Sequence, residues 1–220
     1  MKRLHRALVI GAAALLLSAQ APAAIVSLAE YALNIDGSVA NISVGDAVPV
    51  EADVSAFDAS TGLGRITVRI SGTGSHYVAL FVDHDIDVGA NGFDNELASI
   101  SGAPAGSQTW GIDDPGLLYA DFVAGTLRGA GAGTAAPGDV SMALAWSFTL
   151  TSDDDATIEF LVSAAAPGTG FQLLQSDPDS PATVSLSSQL CVGTNCQVPE
   201  PASLGLVGLG LLGLWRVRRR

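Results

Sequence analysis

Val140-Ser141-Met142-Ala143-Leu144-Ala145-Trp146-Ser147-Phe148-Thr149-Leu150 decides the fold class. The larger apolar residues Val140, Met142, Leu144, Trp146, Phe148 and Leu150 alternate with Ser141, Ala143, Ala145, Ser147 and Thr149. Successive side chains of a strand point to opposite faces, so this period of two predicts a long strand with one face in a core. Ile66, Val68 and Ile70 repeat the pattern between Arg65, Thr67 and Arg69, as do Ile158, Phe160 and Val162, and Val184, Leu186 and Ser188. Residues 76–82 and 117–123 are apolar enough to be strands, and residues 25–33 and 48–54 are weaker candidates. Turn-forming clusters separate them: Thr61-Gly62, Gly72-Thr73-Gly74, Pro115-Gly116, Ala136-Pro137-Gly138 and Asp177-Pro178-Asp179. Between the termini no segment carries a clear 3.6-residue apolar stripe. The expectation is an all-β fold, a single antiparallel β-sandwich of jelly-roll-like or immunoglobulin-like form.

Charge narrows the possible partners. The 220 residues hold ten basic and twenty-two acidic side chains, for a net charge of −12. Lys2, Arg3 and Arg6 stand at the start and Arg216, Arg218, Arg219 and Arg220 at the end, so the body between keeps only Arg65, Arg69 and Arg128. So acidic a body repels phosphate backbones, which excludes nucleic acid as a partner. It also repels anionic polysaccharide unless a divalent cation intervenes.

The densest chemistry lies in residues 83–96, where five acids and two asparagines fall within fourteen residues. Asp83, Asp85 and Asp87 share one side if the chain stays extended, and converging carboxylates repel unless a hard cation joins them. Ca²⁺ takes carboxylate, amide and carbonyl oxygens, and Asp83, Asp85, Asp87, Asn91, Asp94 and Glu96 are the candidate ligands. The spacing is not that of an EF-hand, because Val88 stands where that loop needs glycine and Asp94 where it needs glutamate. The competing reading is a solvated acidic loop with His84 exposed in it. Asp153-Asp154-Asp155 reads as a solvated hairpin turn or a second cation site. Catalysis has little to draw on. The body offers only His76, which has no nameable partner, and His84 as bases, and it lacks a Gly-x-Ser-x-Gly elbow and a His-Glu-x-x-His site. The expectation is no enzyme, with a secreted hydrolase as the remote alternative.

The C-terminal residues carry an address. Pro199-Glu200-Pro201 precedes an uncharged run from Ala202 to Trp215, and the arginines follow. Fourteen helical residues span about 21 Å, short of a hydrocarbon core of ~30 Å. Val217 extends the run, Arg216 can snorkel, Trp215 suits the interface, and terminal arginines favour the cytoplasmic side. A transmembrane helix is the expectation. These three parts in this order resemble the PEP-CTERM sorting signal of Gram-negative bacteria. The resemblance implies transient anchoring in the inner membrane and recognition, with cleavage, by an exosortase. It also implies association with exopolysaccharide and biofilm. Residues 76–87, 139–146 and 177–188 are similar to stretches of other PEP-CTERM proteins with no assigned activity.

The N-terminal residues agree with that address. A basic start, an apolar run over residues 7–17 and Ala21-Pro22-Ala23 form a Sec-type signal peptide cleaved after Ala23. The expected organisation is a signal peptide over residues 1–23, an exported domain over 24–198 and the sorting signal over 199–220. Cys191 and Cys196 are the only cysteines, and an oxidising compartment makes a disulfide between them the expectation. The functional expectation is an exported envelope or matrix protein with a structural or adhesive role. A Ca²⁺-dependent polysaccharide-binding module using the acidic loop is the alternative.

Overall fold

A computed structural model describes residues 25–87, 89, 95–129, 137–151, 154–165 and 169–193. In chain order the strands are β1 (Val26–Ile35), β2 (Ser38–Asn41), β3 (Ala52–Asp58), β4 (Leu63–Ser71), β5 (Gly74–Ile86), β6 (Leu97–Ser101) and β7 (Gln108–Asp113). The helix α1 (Pro115–Ala124) follows, and then β8 (Ser141–Leu150), β9 (Asp155–Ser163), β10 (Gln172–Ser176) and β11 (Thr183–Val192). The strands form two sheets, in orders β2-β1-β5-β8-β7 and β3-β4-β9-β11-β10-β6. Neighbours pair antiparallel throughout.

The alternating stretch is β8, as its period predicts. Met142, Leu144, Trp146 and Leu150 enter an apolar cluster that also takes Leu33 and Leu80 from the first sheet. The second sheet contributes Ile66, Val68, Ile158, Phe160, Leu173 and Leu186 to the same cluster. Trp146 Nε1 and Gln108 Nε2 each donate to Ser188 Oγ, at 2.9 and 3.0 Å, and so tie one sheet to the other.

The alanines of β8 are not solvent-facing, as a one-sided strand would have them, whereas Ser147 and Thr149 are exposed. Ala143 and Ala145 join Ala32, Ala79 and Phe81 in a second buried cluster on the opposite face of the first sheet. Leu118 and Phe122 of α1 cover it. Alanines there let a helix approach the sheet closely, and Phe122 meets the Phe81 and Tyr119 rings at centroid distances of 5.7 and 5.6 Å.

That helix corrects the strand expected at residues 117–123. Asp114 caps it by accepting from Gly116 N at 3.0 Å, Pro115 occupies the first turn, and Gly125 closes it at φ 66°. A capping aspartate, a proline with its φ preset and a left-handed glycine outweigh the apolar composition between them. Buried Asn34 donates to the Phe122 carbonyl at 2.8 Å, satisfying one of the carbonyls that a helix end leaves open.

One turn has no expectation attached to it, and another differs from expectation. Asp36 and Gly37 both take positive φ, 53° and 86°, and join β1 to β2 with Ile35 opposite Ser38. This is the two-residue hairpin that Asp-Gly favours. Asp154 lies between β8 and β9, which belong to different sheets, so the acidic turn there crosses between sheets and is not a hairpin.

Candidate functional site

The acidic stretch begins as the end of β5, and strand alternation divides its side chains. Val82, His84 and Ile86 turn toward the cluster shared by the two sheets, while Phe81, Asp83 and Asp85 turn to the helix-covered side. The register across the first sheet then decides what Asp83 faces. Leu28 pairs with His84, but the next pair is Glu30 with Asp83, because β1 carries a bulge there. Without the extra residue Ala29 would stand opposite Asp83. On the other side Asp83 pairs with Ser141 of β8, which pairs with Asp113 of β7.

Asp83 is only 8 % exposed, and among the described residues its Oδ1 has no hydrogen-bond partner. Burial, then the fields of Asp139, Asp85, Glu30 and Asp114, push its carboxyl up to about 7. The Ser141 hydroxyl gives it no help, since it donates to the Asp113 carbonyl at 3.1 Å. Glu30 accepts from Asn41 Nδ2, which also lies 3.3 Å from the Tyr119 hydroxyl. The other atom of that amide, Asn41 Oδ1, is buried without a partner among the described residues.

Of the remaining predicted calcium ligands, Asp87 and Glu96 do not gather with Asp83 and Asp85. Asp87 leaves the extended conformation at φ 54°, accepts from Ile25 N at 2.8 Å and is hydrogen-bonded to Ser180, which lowers its pKa. Glu96 is fully buried. Its Oε1 accepts from Ile86 N at 3.1 Å, and its Oε2 from Val140 N at 3.2 Å and Gln175 Nε2 at 2.6 Å. Burial nevertheless pushes its carboxyl up to about 8, against the pull of those three donors. Asn91 and Asp94 lie outside the described residues. Among the described residues no three His, Cys, Asp or Glu side chains are grouped to hold a metal ion.

Both histidines differ from expectation. His84 is fully buried, not a loop residue. Its Nε2 lies 3.2 Å from the Gly62 carbonyl, its Nδ1 has no partner among the described residues, and burial lowers its pKa to about 4. Gly62 is required beside it, because a Cβ there would overlap the imidazole. His76 does have partners: its Nδ1 lies 2.8 Å from Asp36 Oδ2 and its Nε2 3.1 Å from the Gly72 carbonyl. With acceptors at both nitrogens the imidazolium is favoured, and the Asp36 bond raises the His76 pKa. The hairpin turn that presents Asp36 was readable from Asp36-Gly37. Glu30 and Asn41 carry no sequence signal of their own, since the bulge and the pairing of β1 with β2 bring them to Asp83.

Cys191 on β11 is disulfide-bonded, and the chain's other cysteine, Cys196, lies outside the described residues. So do residues 1–23, where the signal peptide is expected, and Pro199, Glu200, Pro201, Arg216, Arg218, Arg219 and Arg220 of the expected sorting signal. Among the described residues no helix is long and apolar enough to cross a membrane.

Comparison with curated proteins and with solved structures returns no match to the chain. A family model does match its end: residues 197–220 fit the PEP-CTERM protein-sorting motif, and the chain carries that sorting signal.

Proposed function

We propose that the chain is an exported protein of the cell envelope or extracellular matrix, handed to an exosortase by its C-terminal motif and cleaved there. The observation that carries this reading is the match of residues 197–220 to the PEP-CTERM protein-sorting motif. The signal peptide over residues 1–23 starts export, and the apolar run after Pro201 holds the chain in the inner membrane until cleavage. We read the two sheets as one antiparallel sandwich with a structural or adhesive role in an exopolysaccharide-rich biofilm matrix. The cluster fed by both sheets supports the sandwich.

The body is read as non-catalytic. A histidine base must keep a free nitrogen for a nucleophile. His76 has both nitrogens beside acceptors, and His84 is sealed in the interior. Turnover of any substrate in a panel of glycans and esters would refute this part.

Processing is tested with one epitope tag inside the body and another after Arg220. In cells with the exosortase the second tag is lost from the mature chain. In cells lacking the enzyme both tags stay on one membrane-bound chain. Loss of the second tag in both strains would refute exosortase cleavage.

A further inference from the structure

We propose that Asp83, Glu30 and the side-chain oxygen of Asn41 form a binding site for one divalent cation of calcium's size and hardness, on the helix-covered face of the first sheet. The site differs from an acidic-loop site in its ligands, which come from three neighbouring strands, β2, β1 and β5. It does not depend on the sorting function.

Two buried acceptors on this face lack donors among the described residues. Asp83 is nine-tenths buried, and among the described residues neither its Oδ1 nor the buried Asn41 Oδ1 has a hydrogen-bond partner. They flank one carboxylate: Glu30 faces Asp83 in register and holds the amide nitrogen of Asn41. Like charges directly opposite on neighbouring strands repel, and buried acceptors without donors are costly. Among the described residues the charges acting on Asp83 are all carboxylates, with no arginine among them. Arg65, the nearest thing to a committed cation in the body, is paired with Glu159 at 3.0 Å on the second sheet. A metal ion satisfies both orphaned oxygens and removes the repulsion in one step.

The donor set selects the ion. Two carboxylates and an amide oxygen are hard ligands, and neither histidine nor cysteine is among them, which disfavours zinc and copper. Calcium accepts an irregular shell completed by water, whereas magnesium demands near-octahedral geometry and sheds its water reluctantly. The bulge in β1 is the device that makes the site, because it sets Glu30 opposite Asp83 in place of Ala29. Bulges commonly re-aim a side chain in this way.

The test uses the full-length chain in detergent. Thermal melts are recorded in EDTA, in Ca²⁺ and in Mg²⁺. Terbium luminescence is read through Tyr119, whose hydroxyl lies 3.3 Å from Asn41 Nδ2. At about a hundredfold excess over its dissociation constant, Ca²⁺ raises the melting midpoint by several degrees and Mg²⁺ does so much less. Asp83→Asn and Glu30→Gln each weaken Ca²⁺ about tenfold or more and abolish the terbium signal, while Asp53→Asn on the exposed edge of the second sheet changes neither. Should Asp83→Asn fail to fold, Glu30→Gln carries the same decision. Superimposable melts in EDTA and Ca²⁺ overturn the proposal. So does a calcium response that survives Glu30→Gln, or one that Mg²⁺ reproduces in full. None of these results bears on cleavage at the sorting motif, which is read by the tags.

Discussion

Glu96→Gln should flatten the pH dependence of stability between about pH 5 and pH 8. The wild-type carboxyl is fully buried and its pKa is raised from an ordinary 4.5 to about 8. Between those values the folded chain holds a proton that the unfolded chain has released. The stabilisation is complete below the unfolded value and is lost as pH rises through the folded one. One proton contributes a slope of at most ~1.4 kcal/mol per pH unit. Ile86 N, Val140 N and Gln175 Nε2 all donate to the carboxylate and favour its charged form, so they hold the folded value down and narrow the pH window without changing that slope. Glutamine keeps the shape and does not titrate, but it turns a donor toward donors and costs about 1–3 kcal/mol at pH 5. Urea unfolding of the full-length chain and of the variant, in EDTA at about pH 5, 6.5 and 8, reads the difference directly. Asp83 titrates with the same sign in both proteins and cancels in the comparison. Parallel stability curves for the two proteins would refute the burial argument for Glu96.

Other substitutions probe separate parts of the structure. Phe122→Ala removes a fully buried ring from beneath α1 and should cost about 3–5 kcal/mol in urea unfolding. A loss under ~1 kcal/mol would mean the helix is not docked as described. Gly64→Ala places a Cβ onto the Ala56 carbonyl oxygen at a φ of 124°, and the melting midpoint should fall by several degrees. An unchanged midpoint would contradict the close approach of β3 and β4. His76 should titrate above its ordinary 6.5 by NMR, and Asp36→Asn should bring it back down. The stabilisation from this pair is complete below pH 6.5 and is lost as pH rises through the shifted value.

The central strands were legible because they bury large residues at every second position. β4, β8, β9 and β11 follow Ile66, Leu144, Phe160 and Leu186 directly. Where small residues filled the opposite face the pattern misled. Ala143 and Ala145 look indifferent in sequence, yet they lie under a helix. That helix is apolar enough to pass for a strand, and only Asp114-Pro115 before it and Gly125 after it tell otherwise. β2 follows from the Asp36-Gly37 turn, a signal that four residues, one exposed and three half-buried, cannot supply by periodicity.

The candidate site was legible only in part. Alternation correctly puts Asp83 and Asp85 on one side of β5, but Asp87 departs at a positive φ. Sequence cannot show that Glu96 is interior, since a charged residue reads as exposed until Ile86, Val140 and Gln175 are seen around it. Nor can it show Glu30 and Asn41 beside Asp83, because a one-residue bulge and two strand pairings set that neighbourhood.

The most direct test of the account is the intact mass of the chain recovered from outside the cell. With the exosortase present, the account predicts a mature chain that begins after Ala23 and ends near Pro199-Glu200-Pro201, without Trp215 or the arginines. Without the enzyme, no such species should leave the membrane. A secreted chain that still ends in Arg220, or the same trimmed mass in both strains, would contradict it.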